Sequence, residues 1–277
     1  MRVKLVIGLL LLVSACNTSG VEKNTEKPKV KTKSHTNILD RTHKILAKKK
    51  TAEGISIEWY EQGKGELLHD GDLVMIDYKV KLKDGSVVDG NHLLKKKSLP
   101  FLIGFGMQTK GWDIALKELK VGDFARVLIP SDLARGEKGI EGLIPSNADN
   151  LLFIRILSIV EPDKVVDGTK VWLLEENKRN KLKFNQKEQI SFHCMASSPT
   201  SSMFVNTFRS NQPFLFKSTD NGLVPGMRKA LINAKKSDRL YIVVPPAEAY
   251  GTAGYLDFVK PNEPVFYNVM IIDILKL

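Results

Sequence analysis

The chain has 277 residues, of which 43% are hydrophobic and 26% charged, and its formal net charge is +11. Its two cysteines exclude a scaffold held by several disulfides. No segment interleaves basic with aromatic residues, which argues against nucleic-acid binding. The five histidines lack metal-ligand spacing, and the glycine-rich segments lack the Lys-Ser/Thr ending of a phosphate loop. We therefore expect neither a metal nor a cofactor, and no nucleic-acid partner.

A secretory signal is predicted over residues 1–15. Arg2 and Lys4 form a basic start, and an apolar run from Leu5 to Val13 follows. The run is too short to span a bilayer, which takes about 20 apolar residues. An ordinary buried strand or helix is disfavoured, because nothing amphipathic follows that could bury the run. Removing the signal removes two cations and no acid, so the charge becomes 42 − 2 − 31 = +9.

The end of this signal resembles a bacterial lipobox, Val13-Ser14-Ala15-Cys16, in which the cysteine becomes the lipidated first residue. Acyl chains on Cys16 would hold the protein at a membrane, since each buried methylene contributes about 0.8 kcal/mol. Asn17 is not the acidic residue that often marks inner-membrane retention, so an outer-membrane anchor facing the periplasm is expected. Residues 16–50 are interpreted as the lipidated N-terminus and a flexible tether, poor in apolar residues. Cys194 is then left without an internal disulfide partner.

An internal repeat determines the architecture of the rest, with copies over residues 51–161 and 165–277. The shift is 226 − 111 = 115 positions, and it carries Gly111 to Gly226 and Pro130 to Pro245. Each copy of about 110 residues is long enough to build one core. Pro162-Asp163-Lys164 marks the boundary between them.

In the first copy, alternating and β-branched runs predict strands, and apolar residues at i, i+3, i+4 and i+7 predict one helix. The strands are expected over Thr51–Tyr60, Leu73–Leu82, Val87–Asp89, Pro100–Gly104, Phe124–Ile129 and Leu151–Ile159. The apolar helix face comprises Trp112, Ala115, Leu116 and Leu119. Asp84-Gly85 predicts a hairpin turn. One helix on a strongly bent antiparallel sheet is an α+β domain.

The second copy repeats this order. Its strands are expected over Val171–Leu174, Gln189–Met195, Met203–Val205, Pro213–Phe216, Arg239–Val244 and Pro264–Leu275. Its helix is expected over Met227–Ala234, and a hairpin loop over Ser197–Ser202. The chain is therefore predicted to hold two tandem α+β domains.

Six phrases in the first copy occur in the order and spacing of a known family. They are Asp72–Tyr78, Leu82–Asp89, Gly111-Trp112, Leu119–Asp123, Ile129-Pro130 and Ile144–Ala148. With them the chain resembles the FKBP-type peptidyl-prolyl cis-trans isomerases over residues 51–160. The second copy resembles the same family more weakly, chiefly through Pro245–Gly251. The resemblance implies two FKBP-like domains, each a half-open sheet wrapped around a short helix with a pocket between helix and sheet.

The resemblance also implies a site in the first domain. Trp112 would floor the pocket, and Tyr78 and Asp89 would complete the catalytic set. The implied substrate-binding positions are Val88, Leu99, Phe101, Gln108, Thr109, Arg135, Leu143, Ile144 and Leu152. Plain core packing is the alternative for each of these residues, because Trp and Tyr at helix–sheet junctions are commonly buried.

Such a lining suits rotation about the bond that precedes proline. The barrier is about 18–20 kcal/mol, because resonance keeps the amide planar. Water stabilises the charge that resonance places on the planar amide, so a dry aromatic pocket would favour the twisted amide. Proline is the expected target since its cis form costs only about 0.5–1 kcal/mol over trans. No proton transfer or nucleophile is needed.

The first domain departs from the family at three positions. Val88 stands where a Phe is usual, Leu99 where another Phe is usual, and Arg135 where the family has a Tyr that binds the substrate carbonyl. Arg135 would weaken that hydrogen bond or supply a different, charged donor. The exchange leaves the rate of catalysis open.

The second domain departs in a different way. Met227 stands in the Trp position, Val205 in the Asp position and Cys194 in the Tyr position. An aromatic and apolar wall is nevertheless expected, with substrate-binding positions at Phe204, Phe214, Phe216, Val224, Met227, Tyr250, Phe258, Val259 and Tyr267. Met is a flexible filler that could still floor an apolar pocket. The domain could bind without turnover, or it could be a structural remnant.

Three functions remain open on the sequence. The first is a lipid-anchored envelope isomerase that acts on proline-containing unfolded or exported polypeptides, with the first domain the more active. The second is a catalytically weak, chaperone-like binding lipoprotein. The third is an envelope protein that keeps only the fold.

Overall fold

The computed structural model describes residues 43–185, 187–217, 220 and 222–276. The signal, Cys16 and most of the tether lie outside these residues. The strands of the described part form two seven-stranded sheets. We call residues 47–159, with the first sheet, the first domain, and residues 164–276, with the second sheet, the second domain.

The first sheet is ordered β1-β2-β6-β7-β3-β4, with β5 paired to β3. Its strands are β1 Ala47–Lys50, β2 Ser56–Glu61, β3 Leu73–Lys81, β4 Val87–Gly90, β5 Leu99–Leu102, β6 Phe124–Ile129 and β7 Asn150–Ile159. The helix α1 spans Lys110–Leu116. β1 pairs antiparallel with β2, so the last four residues of the predicted tether, which ends at position 50, belong to the sheet. The lysines of β1 are exposed at the sheet edge, where their side chains remain solvated while the backbone pairs.

The long strand β7 shows how the first core is built. Leu152, Ile154 and Ile156 are fully buried, whereas the residues between them are partly exposed. This alternation follows from the period of two in a strand, which places every second side chain on the same face. Leu152 lies opposite Val127 of β6, and both side chains are fully buried. The strand therefore contributes one complete face to the core.

The second sheet is ordered β11-β10-β14-β13-β9-β8, with β12 paired to β10. Its strands are β8 Lys164–Val166, β9 Thr169–Glu175, β10 Glu188–Ser197, β11 Val205–Asn206, β12 Phe214–Lys217, β13 Arg239–Val244 and β14 Val265–Lys276. The helices are α2 Thr207–Ser210 and α3 Pro225–Leu231. α3 packs on β9 and β13. The second domain thus carries an additional one-turn helix, α2, that the sequence interpretation did not include.

The repeat holds in the structure at its predicted shift. α1 and α3 have the same length and start 225 − 110 = 115 positions apart, and β6 and β13 are related by the same number. Trp112 of α1 and Met227 of α3 are both buried at the same place in their helices. Two antiparallel sheets with few helices confirm the predicted α+β class. The strand predicted over Met203–Val205 is wrong at its start, because Met203 has a positive φ of 53° and β11 begins only at Val205.

Candidate functional site

In the first domain, Tyr78 and Asp89 meet across the β3–β4 hairpin. The Tyr78 hydroxyl donates to Asp89 Oδ1 at 3.2 Å, and the backbone N–H of Gly90 donates to the same oxygen at 2.7 Å. Tyr78 is fully buried and Asp89 is only 7% exposed. A buried carboxylate needs such donors, because an isolated charge in an apolar interior is costly. The hairpin therefore holds a hydrogen-bonded polar pair inside the domain.

Asn91 anchors the loop after this pair. Its Oδ1 accepts from the backbone N–H of Tyr78 at 2.7 Å. Its Nδ2 donates to the carbonyls of Lys96 and Lys97, each at 3.0 Å. One buried side chain thus ties β3 to the loop that carries Lys95, Lys96 and Lys97, which are exposed. Backbone groups that would otherwise be unsatisfied are paired in this way.

Burial and neighbouring charges shift the pKa values of Tyr78, Asp89 and the nearby Arg135. Burial raises the pKa of Asp89, while the bonds from Gly90 and Tyr78 and the charges of Arg135 and His92 oppose that rise. Burial raises the pKa of Tyr78 far above its usual value, and the neighbouring Asp89 adds to the effect. Burial lowers the pKa of Arg135, and Asp89 opposes this. Tyr78 is therefore a neutral hydroxyl that donates to the carboxyl group of Asp89.

Aromatic rings form a second group in the first domain. Trp112, at the start of α1, stacks on Phe101 of β5 with ring centroids 5.4 Å apart and an interplanar angle of 23°. Both rings are almost fully buried. Asp113 accepts the N–H groups of Gly104 at 2.9 Å and Gly106 at 3.0 Å, which fixes the turn before the helix. The helix start and the end of β5 are held together around the ring stack.

The other predicted positions of the first domain divide by exposure. Val88, Thr109, Ile144 and Leu152 are buried. Leu99, Gln108, Arg135 and Leu143 are partly exposed. Arg135 precedes a short 3₁₀ turn, Gly136–Lys138. The substrate-binding roles of these residues stay predictions.

The second domain contains a cavity of about 210 Å³. It is lined by Phe192, Cys194, Phe204, Val205, Phe214, Gly222, Leu223, Val224, Met227, Tyr250, Tyr255 and Tyr267. Strands β10, β11, β12 and β14, helix α3 and the loops between them contribute these side chains. The sheet and the helix thus enclose a mostly aromatic and aliphatic space.

Six of the predicted second-domain positions line this cavity, namely Phe204, Phe214, Val224, Met227, Tyr250 and Tyr267. Three others are placed elsewhere. Phe216 packs on Phe184 in the core, with centroids 6.2 Å apart. Phe258 stacks on the lining residue Phe204, with ring centroids 5.6 Å apart. Val259 is buried, at 1% exposure.

Phe192 and Tyr255 line the cavity but were missed from the sequence. Phe192 lies two residues before Cys194 on β10, so strand alternation places both on one face, and this signal could have identified it. Tyr255 bridges to Val259, as Ile140 bridges to Ile144 in the first domain at the same shift of 115. The repeat shift, applied to Ile140, therefore leads to Tyr255.

The polar groups of the cavity are few and neutral. Tyr250 and Tyr267 both contribute to the lining of this cavity. Burial raises the pKa of both tyrosines. Burial also raises the pKa of the Cys194 thiol to about 12. Among the described residues, the lining contains no Asp, Glu, Lys or Arg side chain.

Within residues 43–276, apart from the few that the structure leaves undescribed, no group of three or more His, Cys, Asp or Glu side chains could hold a metal ion. In the same part of the chain, no helix is both long and apolar enough to cross a membrane. The described cysteine, Cys194, is a free buried thiol.

Relatives of the chain include a human peptidyl-prolyl cis-trans isomerase, FKBP10, which is 26% identical over 207 residues. That match covers 75% of this chain and 35% of the relative. FK506-binding protein 4 of Emericella nidulans is 38% identical over 110 residues, 40% of this chain and 22% of its own length. The chain thus spans about a third or less of the length of these relatives.

Matches among solved structures include the three FKBP domains of wheat FKBP73. That structure is 23% identical, with a TM-score of 0.41, and the match covers 82% of this chain and 97% of the wheat chain. FkpA from Escherichia coli is 31% identical with a TM-score of 0.37, over 40% of this chain and 51% of its own.

The family described as FKBP-type peptidyl-prolyl cis-trans isomerase matches residues 64–157 and again residues 180–272. The first match contains the Tyr78–Asp89 pair and the Trp112 stack, and the second contains all the cavity residues. Together the two matches cover more than half of the sequence, and the chain belongs to the FKBP-type peptidyl-prolyl cis-trans isomerase family.

Proposed function

We propose that the protein is a peptidyl-prolyl cis-trans isomerase of the bacterial cell envelope, with its activity in the first domain. The observation that supports this most is the buried hydrogen bond between Tyr78 and Asp89, within residues that match the family. The second domain has Cys194 and Val205 at these two positions, so it cannot form that pair. Its substrates would be proline-containing unfolded or exported polypeptides.

The proposed catalysis uses surroundings rather than acid, base or metal. Rotation must overcome a barrier of about 18–20 kcal/mol that amide resonance creates. Apolar surface replaces the water that stabilises the planar, charge-separated amide, and the twisted amide loses less by this exchange. The stacked and almost fully buried rings of Phe101 and Trp112 would form the apolar floor of the site. Tyr78 stays neutral, so it adds no buried charge of its own.

The experiment is an isomerisation assay on a proline peptide, with the full chain and a Trp112→Ala variant side by side. The unaltered chain should accelerate the exchange well above the uncatalysed rate, and the variant should lose most of that acceleration. Circular dichroism on both proteins checks that the variant is folded. Equal, near-background rates in both proteins would remove the enzyme hypothesis.

The location of the protein in the cell envelope is a separate part of the proposal. It depends on the signal over residues 1–15 and on Cys16, which lie outside the described residues. Labelling with palmitate in a bacterial host should mark the unaltered chain and should fail for Cys16→Ala. Label retained by Cys16→Ala would contradict lipidation at this cysteine.

A catalytically weak binding lipoprotein is the second candidate. Val88 and Arg135 favour it, because the family usually has aromatic residues at both positions. Suppression of the aggregation of an unfolded client distinguishes the two candidates. A protein that suppresses aggregation equally with and without Trp112→Ala, and that lacks isomerase activity, would be this second type.

A further inference from the structure

Residues 178–187, which lie between β9 and β10, form a strongly basic loop in the second domain. The sequence there is Lys-Arg-Asn-Lys-Leu-Lys-Phe-Asn-Gln-Lys, with five cations and no acid. All five charged side chains are exposed, namely Lys178, Arg179, Lys181, Lys183 and Lys187. Like charges at this spacing repel one another, and an anion that binds among them relieves the repulsion. The basic loop therefore presents a concentrated positive charge to solvent.

The backbone of the basic loop is fixed to the rest of the domain. Phe184 is buried, and its N–H donates to the carbonyl of Ala234 at 2.8 Å. The carbonyl of Phe184 accepts from the N–H of Asn233, also at 2.8 Å. Asn185 Oδ1 accepts from the N–H of Lys187 at 2.8 Å. Because the backbone is already ordered, binding through the side chains costs less entropy than it would in an unstructured segment.

Three acids near the basic loop already have partners outside it. Glu176 pairs with Lys235 at 2.6 Å, and Asp273 pairs with Lys236 at 3.1 Å. Asp238 accepts from two backbone N–H groups, at 2.8 and 3.0 Å. These carboxylates are thus engaged by other donors, and the charges of the basic loop stay available to an external anion.

The first domain shows that the fold does not require this charge. The N–H of Leu68 donates to the carbonyl of Leu119 at 3.1 Å, in the same way as the N–H of Phe184, at a local shift of 184 − 68 = 116. The matching stretch of the first domain, residues 62–71, contains one lysine and two acids. The positive charge is therefore a property of the second copy, and it needs an explanation other than folding.

The chemistry of the basic loop favours lipid phosphates over a protein or a nucleic acid. Its two apolar side chains, Leu182 and Phe184, are partly and fully buried, whereas the centre of a protein interface is typically apolar. Single-stranded nucleic acid is held by rings on which bases stack, and Phe184, the one ring in the sequence of the loop, is buried. Clusters of about four to eight Lys or Arg residues bind anionic lipid headgroups by charge alone.

We propose that the basic loop of the second domain docks on the anionic phospholipid headgroups of a membrane. Its cations lie among the lipid phosphates, and the domain keeps its fold. This inference goes beyond isomerase activity, and it uses the proposed anchor at Cys16 only to bring the loop close to a membrane. The loop is then a second attachment to the surface, which depends on charge and not on acyl chains.

The test measures co-sedimentation of the full chain with vesicles. The chain carries Cys16→Ala, so that no acyl chain contributes to binding. One vesicle is phosphatidylcholine alone, and the other contains about one-third phosphatidylglycerol. We expect at least about tenfold stronger binding to the anionic vesicle, and we expect release at about 1 M salt, where the Debye length falls to about 3 Å. Equal binding to both vesicles, or binding that salt does not weaken, would overturn the proposal.

Two triple variants of this chain locate the effect. The loop variant combines Lys181→Gln, Lys183→Gln and Lys187→Gln. The control variant combines Lys95→Gln, Lys96→Gln and Lys97→Gln in the first domain. Both lose three exposed lysines, so their net charges are equal, and residues 1–15 are the same in both. Circular dichroism checks that both are folded.

The two variants should differ in their affinity for the anionic vesicle. Each basic residue close to an anionic surface strengthens binding roughly fivefold, so the loop variant should bind at least about tenfold more weakly than the parent chain. The control variant should lose less than about threefold. Equal losses would show that net charge alone attracts the protein, and this result would overturn the assignment to the loop.

Other anions are separate arms of the same experiment. Polyglutamate represents an acidic polypeptide, and single-stranded DNA represents a nucleic acid. A chain that binds either polymer through the basic loop but does not bind the anionic vesicle would overturn the membrane assignment. The vesicle result is independent of the isomerase assay and of palmitate labelling, so failure here and failure of the proposed function are distinguishable.

Discussion

The Tyr78 hydroxyl donates to the Asp89 carboxylate inside the hairpin of the first domain, and the second domain has a thiol and an isopropyl group at the two corresponding positions. Both copies have the helix and the strands, but only the first has this polar pair. The spacing that the two copies share is that of their core elements. The two copies differ at residues that would contact a ligand. The two domains are therefore expected to differ in function.

Stability should depend on pH through Asp89. Burial raises its folded-state pKa above the unfolded value of about 3.9. The folded chain then binds the proton more tightly, so this stabilisation is fully present below the unfolded pKa and is lost as the pH rises through the folded pKa. The free energy of unfolding of the unaltered chain should therefore fall with pH relative to Asp89→Asn. Urea titrations at a series of pH values measure this difference, and a constant difference would contradict the prediction.

Removing the cation of Arg135 should raise the pKa of Asp89 further. The positive charge of Arg135 opposes the effect of burial on that carboxyl, and Arg135→Gln deletes the charge while keeping a polar side chain. The carboxyl resonance of Asp89, followed by NMR against pH, reports the change. Arg126→Gln is the matched control, since Arg126 pairs with Glu58 instead. A shift of equal size in both variants would show that the effect is not local.

Asp123 should stabilise the first domain by accepting two hydrogen bonds. Its carboxylate accepts from the indole N–H of Trp59 at 2.8 Å and from the N–H of Gly63 at 2.6 Å, and it is buried. Asp123→Asn turns one acceptor into a donor that faces a donor, so we expect a loss of about 1–3 kcal/mol. Chemical unfolding followed by tryptophan fluorescence measures it. The exposed Asp257→Asn should change stability by less than about 0.5 kcal/mol, and similar losses in both variants would refute the assignment.

Gly226 should be irreplaceable for packing reasons. A Cβ at this position would lie 2.5 Å from both Thr169 Oγ1 and Val244 Cγ1, so α3 could not keep its distance from the sheet. Gly226→Ala should destabilise the second domain by about 1–3 kcal/mol. Gly222→Ala is the matched control, because a Cβ there meets nothing within 4 Å. Thermal unfolding compares them, and equal melting temperatures would contradict the packing argument.

Long, periodic features were predictable from the sequence. Apolar residues at helical spacing located α1, and the shift of 115 carried that prediction to α3, because both helices bury one face against a sheet. The Asp-Gly turn located the hairpin that carries Asp89. The resemblance to the family rested on these same segments.

Short features were not predictable in the same way. β1 is rich in lysine and looked like solvated tether, since the pairing of an edge strand is a backbone property that side chains do not reveal. α2 has four residues, too few for a periodic pattern, and Asn206 caps it by accepting from the N–H of Arg209. Phe216 was expected in the cavity wall, but it packs against Phe184 in the core. Strand alternation predicts on which face of the sheet a side chain lies, but it does not predict whether that side chain reaches the cavity or the core.

The most direct test of the account compares two variants related by the repeat, Trp112→Ala in the first domain and Met227→Ala in the second. The quantity is kcat/KM for isomerisation of a proline peptide by the full chain. We expect Trp112→Ala to lose most of the activity and Met227→Ala to stay close to the unaltered protein. Activity that survives the first change and disappears with the second would place the reaction in the other domain and contradict the account.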